Sequence, residues 1–152
     1  MNFESEKYTS REVKNVIFLS SGLSLDIVID NGRSNARKLL HINQCKLNEL
    51  QKMAMVGVQG FSGCDQNSSF FRKGKKKCCK VAQTFLWAFS RLGTSYEIDE
   101  RVFSELEAFV CNLYGGKGND ANQLRSNIFW RVLKTKNRII DLSLLPPCRM
   151  SL

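Results

Sequence analysis

Three apolar stripes at helical spacing fill the second half of this chain, each closed by residues that stop a helix, and they impose a helical body. Between positions 78 and 92, Val81, Ala82, Phe85, Phe89 and Leu92 share one face, and Gly93 follows as a terminator. Asp99 stands where an N-cap belongs. It precedes Val102, Phe103, Leu106, Phe109, Val110 and Leu113, a stripe ended by Gly115 and Gly116. Asp120 and Gln123 have the spacing of a capping box for a third helix, with Leu124, Ile128, Phe129 and Val132 directed inward. A further helix is expected over 46–57, with Leu47, Leu50, Met53, Ala54 and Val58 inward and Glu49, Gln51 and Lys52 outward.

Upstream the pattern changes to short apolar runs separated by turn residues. Val16 to Leu19 is one run and Leu25 to Ile29 a second, ending in a turn opened by Asp30 before Asn31 and Gly32. Lys38 to Ile42 is a third, after a loop holding Arg33 and Arg37. This reads as a β-hairpin or meander. Asp26 and Asp30 lie four apart, hence on one strand face, but as surface and turn residues rather than as a ligand pair. At the other end, Pro146 and Pro147 keep the segment after Arg138 from being helical. The expected class is α/β or α+β in one domain, β-rich over 1–45, helical over 46–135 and extended over 136–152. No repeat, linker or low-complexity tract divides it.

Composition narrows the setting. With 43% hydrophobic and 24% charged residues and a mean hydropathy of −0.26, the chain can bury a sizeable core. It has no apolar run of about 18 residues, so no membrane span is expected. Its first residues are acidic and polar rather than basic and then apolar, unlike a secretory signal. An intracellular location, nuclear or cytoplasmic, is therefore expected. The six cysteines include no Cys-x-x-Cys pair and the single histidine is His41, a poor basis for zinc. The vicinal Cys78 and Cys79 lie beside enough cations to be redox-sensitive. Packing of Cys79 and Cys111 as small apolar side chains is the plainer expectation.

Charge is concentrated in one place. From Gly60 to Lys80 the chain holds Arg72, Lys73, Lys75, Lys76, Lys77 and Lys80 against Asp65 alone, which accounts for five of its nine formal excess positive charges. Gly74 stands among the lysines where a helix is expected to begin, near Lys75. A glycine there can take φ > 0 and lets an anion approach N–H groups at the positive end of the helix dipole. Lys76 and Lys80, and Lys77 and Lys80, share a helix face. The alternative is a solvated helix end. Asp65, in a small-residue turn, is suited to a divalent cation or else to capping the next turn or pairing with a nearby lysine. Trp87, Trp130, Phe70 and Phe71 invite base stacking, with core packing the commoner fate of such rings. Phe70 and Phe71, beside the basic loop, are the better stacking candidates.

The run Phe61-Ser62-Gly63-Cys64-Asp65, then Ser68-Ser69-Phe70, then Lys73-Gly74-Lys75-Lys76 resembles PIN-like and flap-endonuclease-like nuclease domains, of the kind found in mobile-element-associated animal proteins. Further points of resemblance are Phe89 to Gly93, Leu106 to Gly115 and Leu145 to Arg149, so the likeness spans roughly the last two-thirds of the chain. It implies that Asp65 is a catalytic, metal-binding aspartate for Mg2+ or Mn2+, followed by a helix-hairpin-helix-like turn gripping the phosphate backbone of DNA or RNA. Gln59 replaces a histidine usual in that family, and Arg72 replaces a hairpin glycine. If that position requires φ > 0, the arginine costs on the order of 1 kcal/mol. The family's Ser-x-Asp-x-Asp strand has no counterpart before Gly60, so the partner carboxylates that two-metal hydrolysis needs are missing. The chain reads as a fragment of a longer, mobile-element-derived ancestor.

Three functions follow as expectations. The first is sequence-independent binding of a nucleic-acid backbone through Arg72, Lys73, Gly74, Lys75, Lys76, Lys77 and Lys80, with an incomplete catalytic centre. The second is a non-enzymatic helical interaction module, with oligomerisation through exposed apolar surface. The third and weaker is a divalent-metal-dependent nuclease in which Asp65 meets Asp26, Asp30 or Glu49.

Overall fold

The computed structural model describes residues 27–31, 38–41, 46–63, 70–97, 99–135 and 141–152. In chain order these form β1 (Val28–Asn31), β2 (Lys38–His41), α1 (Glu49–Phe61), α2 (Lys75–Ala82), a 3-10 turn Gln83–Phe85, α3 (Leu86–Arg91), α4 (Glu100–Leu113) and α5 (Ala121–Thr135). Two short 3-10 turns, Leu142–Leu144 and Arg149–Ser151, follow. The described chain is mostly helical, with one small antiparallel hairpin in which Val28 pairs with His41 and Asp30 with Leu39. Asp30 and Asn31 belong to β1 rather than to the turn expected of them. Their N–H and C=O groups lie within the paired register, and the reversal comes after them. The run from Val16 to Leu19 and residue Asp26 lie outside the described residues.

The core is built where α1, α2, α3 and α4 meet. Phe89 and Phe109 are fully buried and cross edge to face at 4.9 Å between ring centroids. Phe61 and Phe85 pack their rings against Phe109 at 6.0 and 6.1 Å. Ala54, Val58, Cys78, Ala82, Ala88, Val102, Leu106, Val110 and Leu113 complete it. Truncating either buried ring to alanine would cost about 3–5 kcal/mol, from lost transfer energy and the cavity left behind.

Helix α1 departs from expectation in length and rotation. Its start is fixed by a reciprocal pair: Gln51 N–H donates to Asn48 Oδ1 at 2.8 Å, and Asn48 N–H donates to Gln51 Oε1 at 3.0 Å. Gln51 is consequently buried on the side expected to face water, whereas Leu50 and Met53 are exposed. The helix also runs through Gly57 and Gly60 to Phe61 instead of stopping. Gly57 is a contact residue, since a Cβ there would lie 2.1 Å from the backbone oxygen of Phe89. Its missing side chain lets α3 cross α1 backbone against backbone.

The single helix expected over 78–92 is interrupted at Gln83–Phe85. The tighter turn re-aims the chain, so that Cys78 and Ala82 face the core from α2 while Ala88 and Phe89 reach α1 from α3. Gly93, at φ 79°, follows Leu92 as the expected terminator. Asp99 does cap α4, accepting from Arg101 N–H at 2.8 Å. The end of α4 is closed in the Schellman manner: Gly116 N–H donates to Cys111 O at 2.8 Å and Gly115, at φ 84°, to Asn112 O at 3.1 Å.

Helix α5 is held mainly at its beginning. Asp120 Oδ1 accepts from Gln123 N–H at 2.8 Å, and the buried Glu107 of α4 reaches across to accept Ala121 N–H at 2.9 Å. Only Ala121 is fully enclosed. Leu124, Ile128, Phe129 and Val132, expected inward, are half-buried because α5 has α4 as its chief neighbour. The segment after it is not the open extended tail expected either, since its described part folds back and buries Leu145 and Pro146. Arg125 donates to Pro146 O, and Arg149 pairs with Glu100 at 2.7 Å and lies 3.8 Å from Glu107. Among the described residues no helix is long and apolar enough to cross a membrane.

Candidate functional site

The basic segment leaves the core through a tight turn. Phe70 O accepts from Lys73 N–H at 3.0 Å, which places Phe71 and Arg72 at the two central positions. The second central position of such a turn calls for a left-handed residue when the turn is of the glycine-requiring kind. Arg72 takes it, at φ 56°, as the one described non-glycine residue with positive φ. Gly74, expected to supply that conformation, is extended at φ −60° and acts as the N-cap of α2, without a side chain to cap the helix. Positive φ belongs to the turn before Gly74 because the chain reverses there, one residue after Phe71.

The six cations of the segment do not all face solvent. Lys75 turns back toward the end of α1, where its Nζ donates to Ser62 Oγ at 2.7 Å and to the carbonyl of Gly63, with Gln59 O at 3.4 Å. A cation among the last carbonyls of a helix is favoured by the dipole. Lys75 therefore ties the basic helix to Gly63, the last described residue before Asp65. Lys73 is half-buried, its Nζ 4.4 Å from the centre of the Tyr114 ring. Burial first, and then the neighbouring charge of Lys77, lowers its pKa. Arg72, Lys76, Lys77 and Lys80 are exposed.

The two rings flanking this turn have separate fates. Phe70 packs against Phe61, Phe109 and Tyr114 at centroid distances of 5.7, 6.1 and 6.4 Å and belongs to the core. Phe71 is 40% exposed, and the Arg72 guanidinium lies 5.2 Å from its ring centre. Both rings line an open groove of 590 Å³, together with Gly60, Phe61 and Tyr114 and, from the C-terminal segment, Ser143, Leu145, Pro147, Ser151 and Leu152. The contribution of the C-terminal segment was not visible as a site from sequence. Its only signal was the Leu145 to Arg149 motif, whose residues carry no recognisable chemistry alone.

Asp65 and Asp26 lie outside the described residues. Among the described ones, no group of three or more His, Cys, Asp or Glu side chains could hold a metal ion, and the expected meeting of Asp65 with Asp26, Asp30 or Glu49 lies outside the described residues. Trp87 is half-buried under the Arg101 guanidinium at 4.3 Å, while Trp130 is exposed at the far end of α5. Cys78 and Cys111 are buried and Cys79 is partly covered. Burial, and after it the neighbouring Cys79, raises the thiol pKa of Cys78 despite the nearby lysines, against the activation expected of that thiol from its cations. Comparison with protein-family models, curated proteins and solved structures finds no match to the chain.

Proposed function

We propose that this chain binds the sugar-phosphate backbone of nucleic acid, without reading sequence, through the turn and helix from Arg72 to Lys80. The observation that carries the reading is the strained turn at Arg72, two residues ahead of Gly74, which as N-cap of α2 has no side chain to cap the helix. Strain of this kind persists where the surroundings over-determine it, commonly at binding sites. Lys76, Lys77 and Lys80 extend the same positive surface along α2. Lys75 and Lys73 support it from within, one as a strap to α1 and the other packed on Tyr114. The resemblance to PIN-like nuclease domains agrees with a backbone-gripping role for this segment. Catalysis with Mg2+ or Mn2+ would further require Asp65 and partner carboxylates, and a nuclease assay comparing the parent with Asp65→Asn separates that possibility.

Salt dependence is the direct test. If Arg72, Lys76, Lys77 and Lys80 each neutralise one phosphate, raising salt from 50 to 200 mM should weaken duplex binding by about two orders of magnitude. Replacing Lys76, Lys77 and Lys80 by glutamate should abolish binding, whereas Lys134→Glu, remote on α5, should leave it intact. A flat salt response, or equal effects of the two variants, refutes the reading.

One observation favours a second reading, a helical interaction module. Leu50, Met53 and Val56 recur every three residues on α1 and are 41%, 45% and 37% exposed, an apolar row suited to a protein surface. Concentration-dependent self-association that is removed by Met53→Glu, in a chain indifferent to nucleic acid, would decide for it.

A further inference from the structure

The groove beside the basic turn has a composition that phosphate binding does not require. Its lining combines four rings, Phe61, Phe70, Phe71 and Tyr114, with residues of the C-terminal segment, Leu145, Pro147 and Leu152 among them. The cations stand on the rings themselves: Lys73 Nζ over Tyr114 at 4.4 Å and the Arg72 guanidinium near Phe71 at 5.2 Å. A volume of 590 Å³ falls in the range of small-ligand clefts and admits a planar heterocycle with its sugar. An occupant must therefore be flat and apolar at one end and anionic at the other.

From this juxtaposition we infer that the groove takes an unstacked nucleobase of a single strand, lying against Phe71, while the adjoining phosphates follow Arg72 and α2. The inference rests on the backbone-binding reading and deepens it by naming single-stranded rather than duplex nucleic acid as the preferred ligand. The described lining of the groove carries no charged side chain, whereas Lys76, Lys77 and Lys80 are exposed along α2, so phosphates follow the helix and the base enters the groove. A base in duplex cannot do so, because both its faces are already stacked. Stacking on an aromatic ring is tolerant of base identity, in keeping with binding that reads no sequence. The C-terminal segment, strapped down by Arg125 and Arg149, becomes part of the site's lining.

The test measures fluorescence anisotropy with a single-stranded DNA 12-mer, its RNA counterpart and an abasic strand of the same length, which carry equal charge, and with the duplex of the 12-mer, which carries twice that charge. The expected result is that base-bearing strands bind on the order of tenfold tighter than the abasic strand. Phe71→Ala should erase that difference, and Phe71→Trp should restore it. Phe71 is 40% exposed, so these changes should leave the core intact, which an unchanged urea midpoint verifies. Equal binding of abasic and base-bearing strands, or a Phe71→Ala variant that keeps the difference, overturns the groove inference alone. Absence of binding to every probe at low salt overturns the backbone reading with it.

Discussion

Replacing Gly57 with alanine should destabilise the protein, although alanine is the better helix former. In an exposed helix interior the exchange is favourable by about 1 kcal/mol. At position 57 the added carbon would lie 2.1 Å from the backbone oxygen of Phe89, 3.0 Å from its carbonyl carbon and 3.3 Å from its Cα. Those are main-chain atoms, so no rotamer change relieves the overlap, and α1 and α3 must separate by roughly 1 Å in an interior that is close-packed. Phe89 would be drawn off Phe61 and Phe109, whose rings it meets at 5.8 and 4.9 Å. Overpacking of this kind costs typically about 1–3 kcal/mol and more where backbone must move. After the gain in propensity, a net loss of about 2 kcal/mol is expected. Gly60, in the same helix with nothing within 4 Å of a built Cβ, is the internal control. Gly60→Ala should be neutral or stabilising by about 0.5 kcal/mol. Urea denaturation of the parent and both variants reads the difference directly, and thermal midpoints should move in opposite directions by a few degrees. If Gly57→Ala is as stable as Gly60→Ala, the close crossing of α1 and α3 is wrong and the core must be packed otherwise.

Two further outcomes follow from buried groups. Glu107→Ala should cost about 1–3 kcal/mol by orphaning the enclosed Ala121 N–H, while Glu107→Gln, which can still accept from Ala121, should cost clearly less. Equal losses in denaturant titrations would show that charge rather than the hydrogen bond matters there. Native alkylation should label Cys148 before Cys78 and Cys111. The Cys148 thiol is held below its ordinary pKa by its Ser151 hydrogen bond, so its thiolate appears at lower pH. Burial pushes Cys78 and Cys111 the other way, so their thiolates need higher pH and an opened core. Mass mapping that finds Cys78 modified first would contradict this ordering.

Local chemistry in the sequence determined where several elements begin and end. Asp99 and Asp120 were legible as caps because a carboxylate before an apolar run satisfies helix N–H groups wherever the helix is docked. Gly93 and Gly115 were legible as stops because only glycine takes their backbone angles without strain. The concentration of charge from Arg72 to Lys80 was equally plain. Tertiary structure decided which faces and which cations were usable. Gln51 went inside and Leu50 outside because burial follows the neighbours a helix meets, and periodicity alone places a stripe only to within one residue's rotation. Lys75 went to the end of α1, and Gly57 became a crossing point instead of a terminator, through contacts with residues 12 and 32 positions away in the chain. The groove was invisible for the same reason. Even at their nearest in the chain, Tyr114 and Ser143, its two sets of lining residues are separated by all of α5, and from Phe71 by α2 to α5, and the return of the C-terminal segment, held by Arg125 and Arg149, brings Leu145 and Leu152 to the same groove.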